Sequence, residues 1–444
     1  MMKKYCIFAL LLFSFQLSRA QIVAGPMLGY SEMREVLLWV QTEESAVVKY
    51  NYWPKGNDSI RYSTEAVIAQ ADKHFIAKNI ATGLQPGQIY EYELVLNGVP
   101  QSFDYPLEFE TQTLWQWRTD PPTFSFAVGS CVYTNETRFD RPGEPYGASY
   151  KIFDQIYEND PDFMLWTGDN IYLREVDWNT RNGIYYRYTD FKRQPELQRL
   201  FARTHNYAIW DDHDFGPNDS DRSYWGKRWS LEAFKDNWGN PNYIFEDEAV
   251  TGTFFWQDAQ FFLMDDRWFR APNYLKDSTK DYFGEKQLDW LIDALAQSQA
   301  PFKFVIAGGQ VVNENGLFEN MSTYEAERET LFKRITDNNI SGVIFISGDR
   351  HHTCLRKLER PGTYPLYDIT ISALTSHMAK PMDVERHTKD LIQGTIVEDL
   401  QNFGILEVSG PRTDRSLKIN IIDNEGKARW DYTIKARELR KPRN

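Results

Sequence analysis

The chain is poor in cysteine, with only 3 in 444 residues. A disulfide-stapled scaffold is therefore excluded, and ordinary apolar packing must hold the fold. Long apolar runs are also missing. Residues 7–15 form an apolar stretch well short of the ~20 residues that cross a bilayer, and no other segment reads as spanning, so stable membrane insertion is not expected. Positive charge is in deficit: Lys and Arg number 50 against 63 Asp and Glu, a net charge of −13. A chain without a basic surplus is a poor partner for nucleic acid. Internal repeats and low-complexity tracts are absent as well.

What is present begins with an export pattern. Lys3 and Lys4 precede the short apolar stretch, and Ser18-Arg19-Ala20 ends on a small residue. That order predicts a secretory signal over residues 1–20, cleaved after Ala20, and a protein that is periplasmic or secreted. The alternative, a membrane anchor, requires a longer apolar run. Cys6 precedes that run, which is the wrong place for a lipid-attachment cysteine. Cleavage leaves Cys131 and Cys354, which an exported protein could join in a disulfide.

The remaining length exceeds one ordinary domain, and 15% aromatic residues argue for a packed core throughout. Residues 21–118 read as an N-terminal β-sandwich domain. Val36-Leu37-Leu38-Trp39-Val40, residues 47–53 and residues 89–95 are β-branched and aromatic, and Pro/Gly/Asn/Asp clusters separate them. Leu84-Gln85-Pro86-Gly87-Gln88-Ile89-Tyr90 resembles the tyrosine corner of fibronectin type III-like domains. A linker ends at Pro121-Pro122, and residues 123–444 form the second domain. There the pattern changes to α/β, with strands at 124–128, 163–167, 207–210, 261–264, 302–306 and 342–346, helices at 150–158 and 285–297, and a β ending from 403 to 434.

Acidic and imidazole residues cluster where these apolar strands stop, the edge where open α/β sheets bind ligands. The loops are Gly129-Ser130-Cys131; Gly168-Asp169-Asn170-Ile171-Tyr172; Asp211-Asp212-His213-Asp214 followed by Asn218 and Asp219; and Gly348-Asp349-Arg350-His351-His352. Carboxylates, imidazole, thiol and phenol gathered together repel one another or stay protonated unless a cation holds them, which predicts a metal site. Metal ions would also let so acidic a chain accept an anionic substrate.

These loops resemble the alkaline phosphatase D (PhoD-type) branch of the metallophosphoesterases. The resemblance rests on them together with Pro161-Asp162-Phe163, Trp210 and Phe215-Gly216-Pro217 around the third loop, Asp266-Arg267, and Gly284-Glu285-Lys286-Gln287-Leu288-Asp289-Trp290-Leu291. It implies a metallophosphoesterase-like α/β sandwich behind the β-sandwich, and metal-dependent hydrolysis of a small phosphate ester. It also implies roles. Cys131 and Tyr172 would bind Fe(III) and Asp169 would bridge metals. Asp212, Asn218, Asp349 and His351 would complete the ligand set, some of them on Ca2+. His213 would lie near the leaving group as acid catalyst or phosphate donor. Apart from the resemblance, Arg267 follows an acid pair at a strand end and is a candidate phosphate clamp, since a guanidinium matches phosphate oxygens. Thiolate and phenolate suit a ferric ion, and carboxylate and amide oxygens suit calcium. Monoesters are the expected substrates, with diesters, phospholipid head groups included, as the alternative. A competing reading makes the chain a non-catalytic exported protein whose acidic loops hold structural calcium. Tyr224 to Trp238 carries Trp225, Trp229 and Trp238, which either wall the pocket or pack beneath a helix.

Overall fold

The computed structural model describes residues 21–442, so the expected export signal at 1–20 lies outside the described residues. Two large sheets face each other. One has nine strands and is built around the parallel run Phe124–Gly129, Phe163–Thr167 and His205–Ile209. The other has six, with Ala259–Leu263, Lys303–Ile306, Val343–Ser347 and Leu366–Thr370 parallel at its centre. These central strands are buried on both faces, which is why their sequences are nearly continuous in apolar residues rather than alternating.

Aromatic rings join the two sheets. Phe126 meets Phe261 and Phe304 edge-on at centroid distances of 5.2 and 5.5 Å, and Phe163 meets Phe254 at 5.7 Å. Such edge-to-face pairs add to the burial of the rings themselves. Helices cover the outer faces. Pro195–Arg203 shows how: Pro195 starts it, and Leu197, Leu200 and Phe201 recur at helical spacing on its buried side.

The N-terminal region is joined to this framework by hydrogen bonds. Strand Ile22–Ser31 pairs in parallel with His205–Ile209, Leu28 opposite His205, and is followed by Glu35–Thr42 and Ile76–Thr82 in the same nine-stranded sheet. A second layer, including Ala46–Pro54 and Ile89–Leu96, packs across these three. One face of the β-sandwich is thus the far end of the nine-stranded sheet. The corner read from Leu84 to Tyr90 is formed, with Tyr90 Oη accepting the Gln85 N–H at 2.9 Å.

The aromatic segment divides in two. Helix Lys227–Asn237 is followed by Trp238, which is fully buried 5.7 Å from the Trp166 ring, while Trp225 is 63% exposed. Only the former belongs to the core.

Candidate metal centre

Each strand of the parallel runs delivers its last residues to one edge. Cys131 and Asp169 follow Phe124–Gly129 and Phe163–Thr167; Asp211 to His213 follow His205–Ile209; Asp349 and His351 follow Val343–Ser347. The turns off the strands are sharp. Cys131, Asp169, Asp349 and His351 all take left-handed backbone conformations, with φ of 60°, 50°, 63° and 56°. Non-glycine residues pay roughly 1–2 kcal/mol each for this, so the surrounding structure holds them there. Gly348 makes the approach possible: a Cβ there would lie 2.5 Å from Ser130 Oγ and 2.9 Å from the Thr167 carbonyl oxygen.

The donors converge. Tyr172 Oη stands 3.0 Å from Asp169 Oδ2 and 3.0 Å from His351 Nε2. Cys131 Sγ lies 3.6 Å from the same Asp169 oxygen and accepts from Ser372 Oγ at 3.1 Å. Asp169 Oδ1 turns the other way and accepts the His213 N–H at 3.3 Å. Groups of ligand atoms within 4.8 Å of one another run across the site: Cys131, Asp169 and His351; Asp169, Asp212 and His213; Asp211, Asp212 and Asp349; Asp212, Asp219 and Glu319. Asp169 belongs to the first two groups and Asp212 to the last three, so the centre is continuous.

Its electrostatics call for a cation. Burial, then the charges of Asp212, Asp211 and Asp349, push the Asp169 carboxyl far above its usual range. Burial, then Asp169, does the same to the Cys131 thiol and the Tyr172 phenol. Asp349 rises to about 7, chiefly through burial and then Glu319. Among these carboxyls Asp212 is brought down, to about 2, because His213 and Arg267 outweigh its burial. A chain that buries so many acids must either protonate them or bind metal in their midst. The donor set fits metal: thiol, phenol, imidazole and a carboxylate meet at one end, carboxylates alone at the other, and the buried Asp211 Oδ2 has no protein partner.

Several residues stand elsewhere than the sequence suggested. Arg267 is fully buried behind the carboxylates. Its Nε donates to Asp211 Oδ1 at 2.5 Å and its Nη1 to Glu319 Oε1 at 2.6 Å. It braces acids and does not face the cleft. Asn218 is exposed at the mouth, and its amide donates to Asp219 Oδ1 at 2.9 Å; the neighbouring Asp219 is the residue whose carboxylate joins Asp212 and Glu319. Glu319 went unnoticed in the sequence because it lies far along the loop that leaves strand Lys303–Ile306, with no cluster of acids beside it. His213 sits over Tyr172 with ring centroids 4.1 Å apart, its side chain 20% exposed. Burial keeps its imidazole below the usual pKa. Cys131 and Cys354 are both free and buried, so the disulfide weighed from sequence is not formed. Arg174 supports the Tyr172 loop, bonding the Thr134 carbonyl and Asp140.

Two cavities of about 570 Å3 each flank the centre. One is lined by Asp349, His351, Glu319 and Phe318, the other by Tyr172, His213, Tyr146 and Trp178; Asn218 lines both.

Among solved structures, that of PhoD matches over 94% of this chain and 91% of its own, with a TM-score of 0.76 at 16% identity. A likeness at this identity establishes the fold. A single mutant of Vps29 from Entamoeba histolytica matches over 70% of this chain and 98% of its own, at 11% identity and a TM-score of 0.28. The sensor domain of the anti-sigma factor RsgI4 from Pseudobacteroides cellulosolvens matches over 21% and 91%, at 14% identity and a TM-score of 0.18. No curated protein matches by sequence. A family described as a domain of unknown function (DUF7800) matches residues 19–113. The PhoD-like phosphatase model matches residues 126–410, more than half of the chain and every loop of the centre. On that match, with the fold and the acid-rich strand ends beneath it, the chain belongs to the PhoD-like phosphatases, metal-dependent hydrolases of phosphate esters.

Proposed function

We propose that the protein is an exported phosphatase of the alkaline phosphatase D type that hydrolyses phosphate monoesters. In this reading Fe(III) would be held by Cys131 and Tyr172 and calcium by the carboxylate side, with Asp169 shared between them, Asp212, Asp349 and His351 completing the set, and Asp219 in the place the sequence suggested for Asn218. The observation that carries it is the meeting of Cys131, Asp169, Tyr172 and His351, because structural calcium has no use for a thiol and a phenol. Export rests on the pattern of residues 1–20.

Bound metal would neutralise charge developing on the phosphoryl group and make a water nucleophilic. The chain's own groups do the rest. Asp169 presents its two oxygens in different directions, toward Tyr172 and toward the His213 loop. His213 Nε2, 3.9 Å from Asp212 Oδ2 and at the cavity wall, is placed to donate a hydrogen bond to the phosphoryl group, its imidazole held neutral by burial. Arg267 fixes Asp211 and keeps Asp212 ionised. The Ser372 hydroxyl steadies the Cys131 sulfur in a pocket closed to solvent.

Metal analysis joined to nitrophenyl phosphate hydrolysis, with and without chelator, tests the reading. Iron and calcium should accompany the wild type. Cys131→Ala and Asp169→Ala should each lower turnover by about a thousandfold or more while leaving the fold intact. Activity retained in either variant refutes the site.

The paired cavities support a second reading, cleavage of diesters. A diester carries two organic arms, and one cavity on each side of the centre would receive them. Rates on bis-nitrophenyl phosphate against nitrophenyl phosphate separate the two.

A further inference from the structure

A cavity of about 1030 Å3, larger than either beside the metal centre, opens at the opposite edge of the six-stranded sheet. Its floor is made by Gln260 and Lys303, near the starts of the parallel strands Ala259–Leu263 and Lys303–Ile306, whose other ends lead to the catalytic loops. Four to five residues of strand separate the two edges, roughly 15 Å of sheet. Nothing in the phosphatase reading uses this edge.

The lining has two chemical faces. Lys303 is only 4% exposed, yet among the described residues its ammonium has one hydrogen bond, to the Ser341 carbonyl at 2.9 Å, and no acid beside it. Burial alone lowers it to about 8. Arg412 and Arg440 stand exposed on the rim, and neither forms an ion pair among the described residues. The acid that lines the cavity, Asp258, is already bound by the buried Arg415 at 2.8 Å. Arg412 also acts on Asp258, so Lys303, Arg412 and Arg440 outnumber the one acid in the lining, a local excess of positive charge in a protein of net charge −13. The second face is aromatic. Trp117 is 92% exposed and Phe255 is 47% exposed, and the Arg412 guanidinium lies 5.2 Å from the Trp115 ring centroid. Among the described residues the Nε1–H of Trp115 has no hydrogen-bond partner, nor has the Oε1 of the buried Gln260.

We propose that this cavity is a second binding site, separate from the metal centre, for a small oxyanion carried on a flat apolar body. The charged head would meet Lys303 and Arg412, and the body would lie against Trp115, Trp117 and Phe255. A buried ammonium lacking a counter-charge gains most from such a head, since desolvation then works for the pair. An exposed indole beside a guanidinium gives the body a stacking surface.

Calorimetric titration of the full-length chain tests this with four probes. Phenylphosphonate and benzoate carry a head and a ring, inorganic phosphate has the head alone, and benzyl alcohol the ring alone. Saturable 1:1 binding of phenylphosphonate or benzoate is expected, and whichever binds more tightly identifies the head. The two single-feature probes should bind about tenfold more weakly or worse. Trp117→Ala and Arg412→Ala, both exposed and tolerable to the fold, should each weaken binding by about tenfold while ester hydrolysis stays unchanged. Lys303→Met should do the same. Asp169→Ala should leave this binding intact. Absence of saturable binding overturns the proposal. So does binding that Asp169→Ala removes and Trp117→Ala does not, which would place the anion at the metal centre. Benzyl alcohol binding as tightly as benzoate would also overturn it.

Discussion

Tyr172 Oη lies 3.0 Å from His351 Nε2, although 179 residues separate them in the chain. The two reach each other from different sheets: Tyr172 follows a strand of the nine-stranded sheet, His351 a strand of the six-stranded one. The metal centre is therefore the seam between the sheets, and whatever fixes one sheet upon the other also fixes the ligand geometry.

Backbone strain is part of that geometry, and Asp349 reports it. Its φ of 63° suits glycine. Asp349→Gly is expected to be more stable than Asp349→Ala by about 1 kcal/mol in the metal-free protein, with both variants inactive. Denaturant unfolding of the two after chelation checks the order. An alanine variant as stable as the glycine variant would show that no strain is stored there.

Arg267 separates bracing from substrate binding. Removing its guanidinium leaves Asp211 and Glu319 buried without their cation. Arg267→Met should cost about 3–5 kcal/mol of stability and release metal. A phosphate clamp facing the cleft would instead raise KM and spare the melting temperature.

Lys192 offers a test away from the site. It is fully buried among aromatic rings, with Trp238 at 3.8 Å and Phe201 at 4.9 Å from its ammonium, and Met27 Sδ at 3.2 Å. No acid among the described residues pairs with it, and burial drives its pKa well below the usual value. Methionine matches its length without the charge, so Lys192→Met should raise stability at neutral pH by about 1 kcal/mol or more. A loss would mean that the cation–π contacts outweigh desolvation.

His205 sets part of the acid response. Burial lowers it from 6.5 to about 4, against the pull of the carbonyls of Gly29 and Glu110. Between those values the unfolded chain binds a proton that the folded chain refuses, so stability falls as pH drops from about 6.5 toward 4. The full effect is about 3 kcal/mol. His205→Gln should flatten the fall of melting temperature across that window. An unchanged slope would show that His205 takes its proton without unfolding.

The strands that end in candidate ligands were legible because an apolar run followed by Gly-Asp or by clustered acids is a local pattern. Helix Glu285–Gln297 emerged at the boundaries read from its periodicity. Other features depended on distant chain. Strand Ile22–Ser31 carries no strong alternation, and its place beside His205–Ile209 is set by tertiary pairing. Glu319 enters the centre from a loop, and Arg267 turned from clamp to brace because Glu319 and Asp211 surround it. The competing picture of a non-catalytic calcium-holding protein gave way to the phosphatase family match.

The most direct test is a crystal structure with anomalous data collected at the iron edge. The account predicts an iron peak within bonding reach of Cys131 Sγ, Tyr172 Oη and Asp169 Oδ2, and oxygen-ligated density beside Asp212 and Asp349. A crystal of active enzyme with no ion among these residues would contradict it.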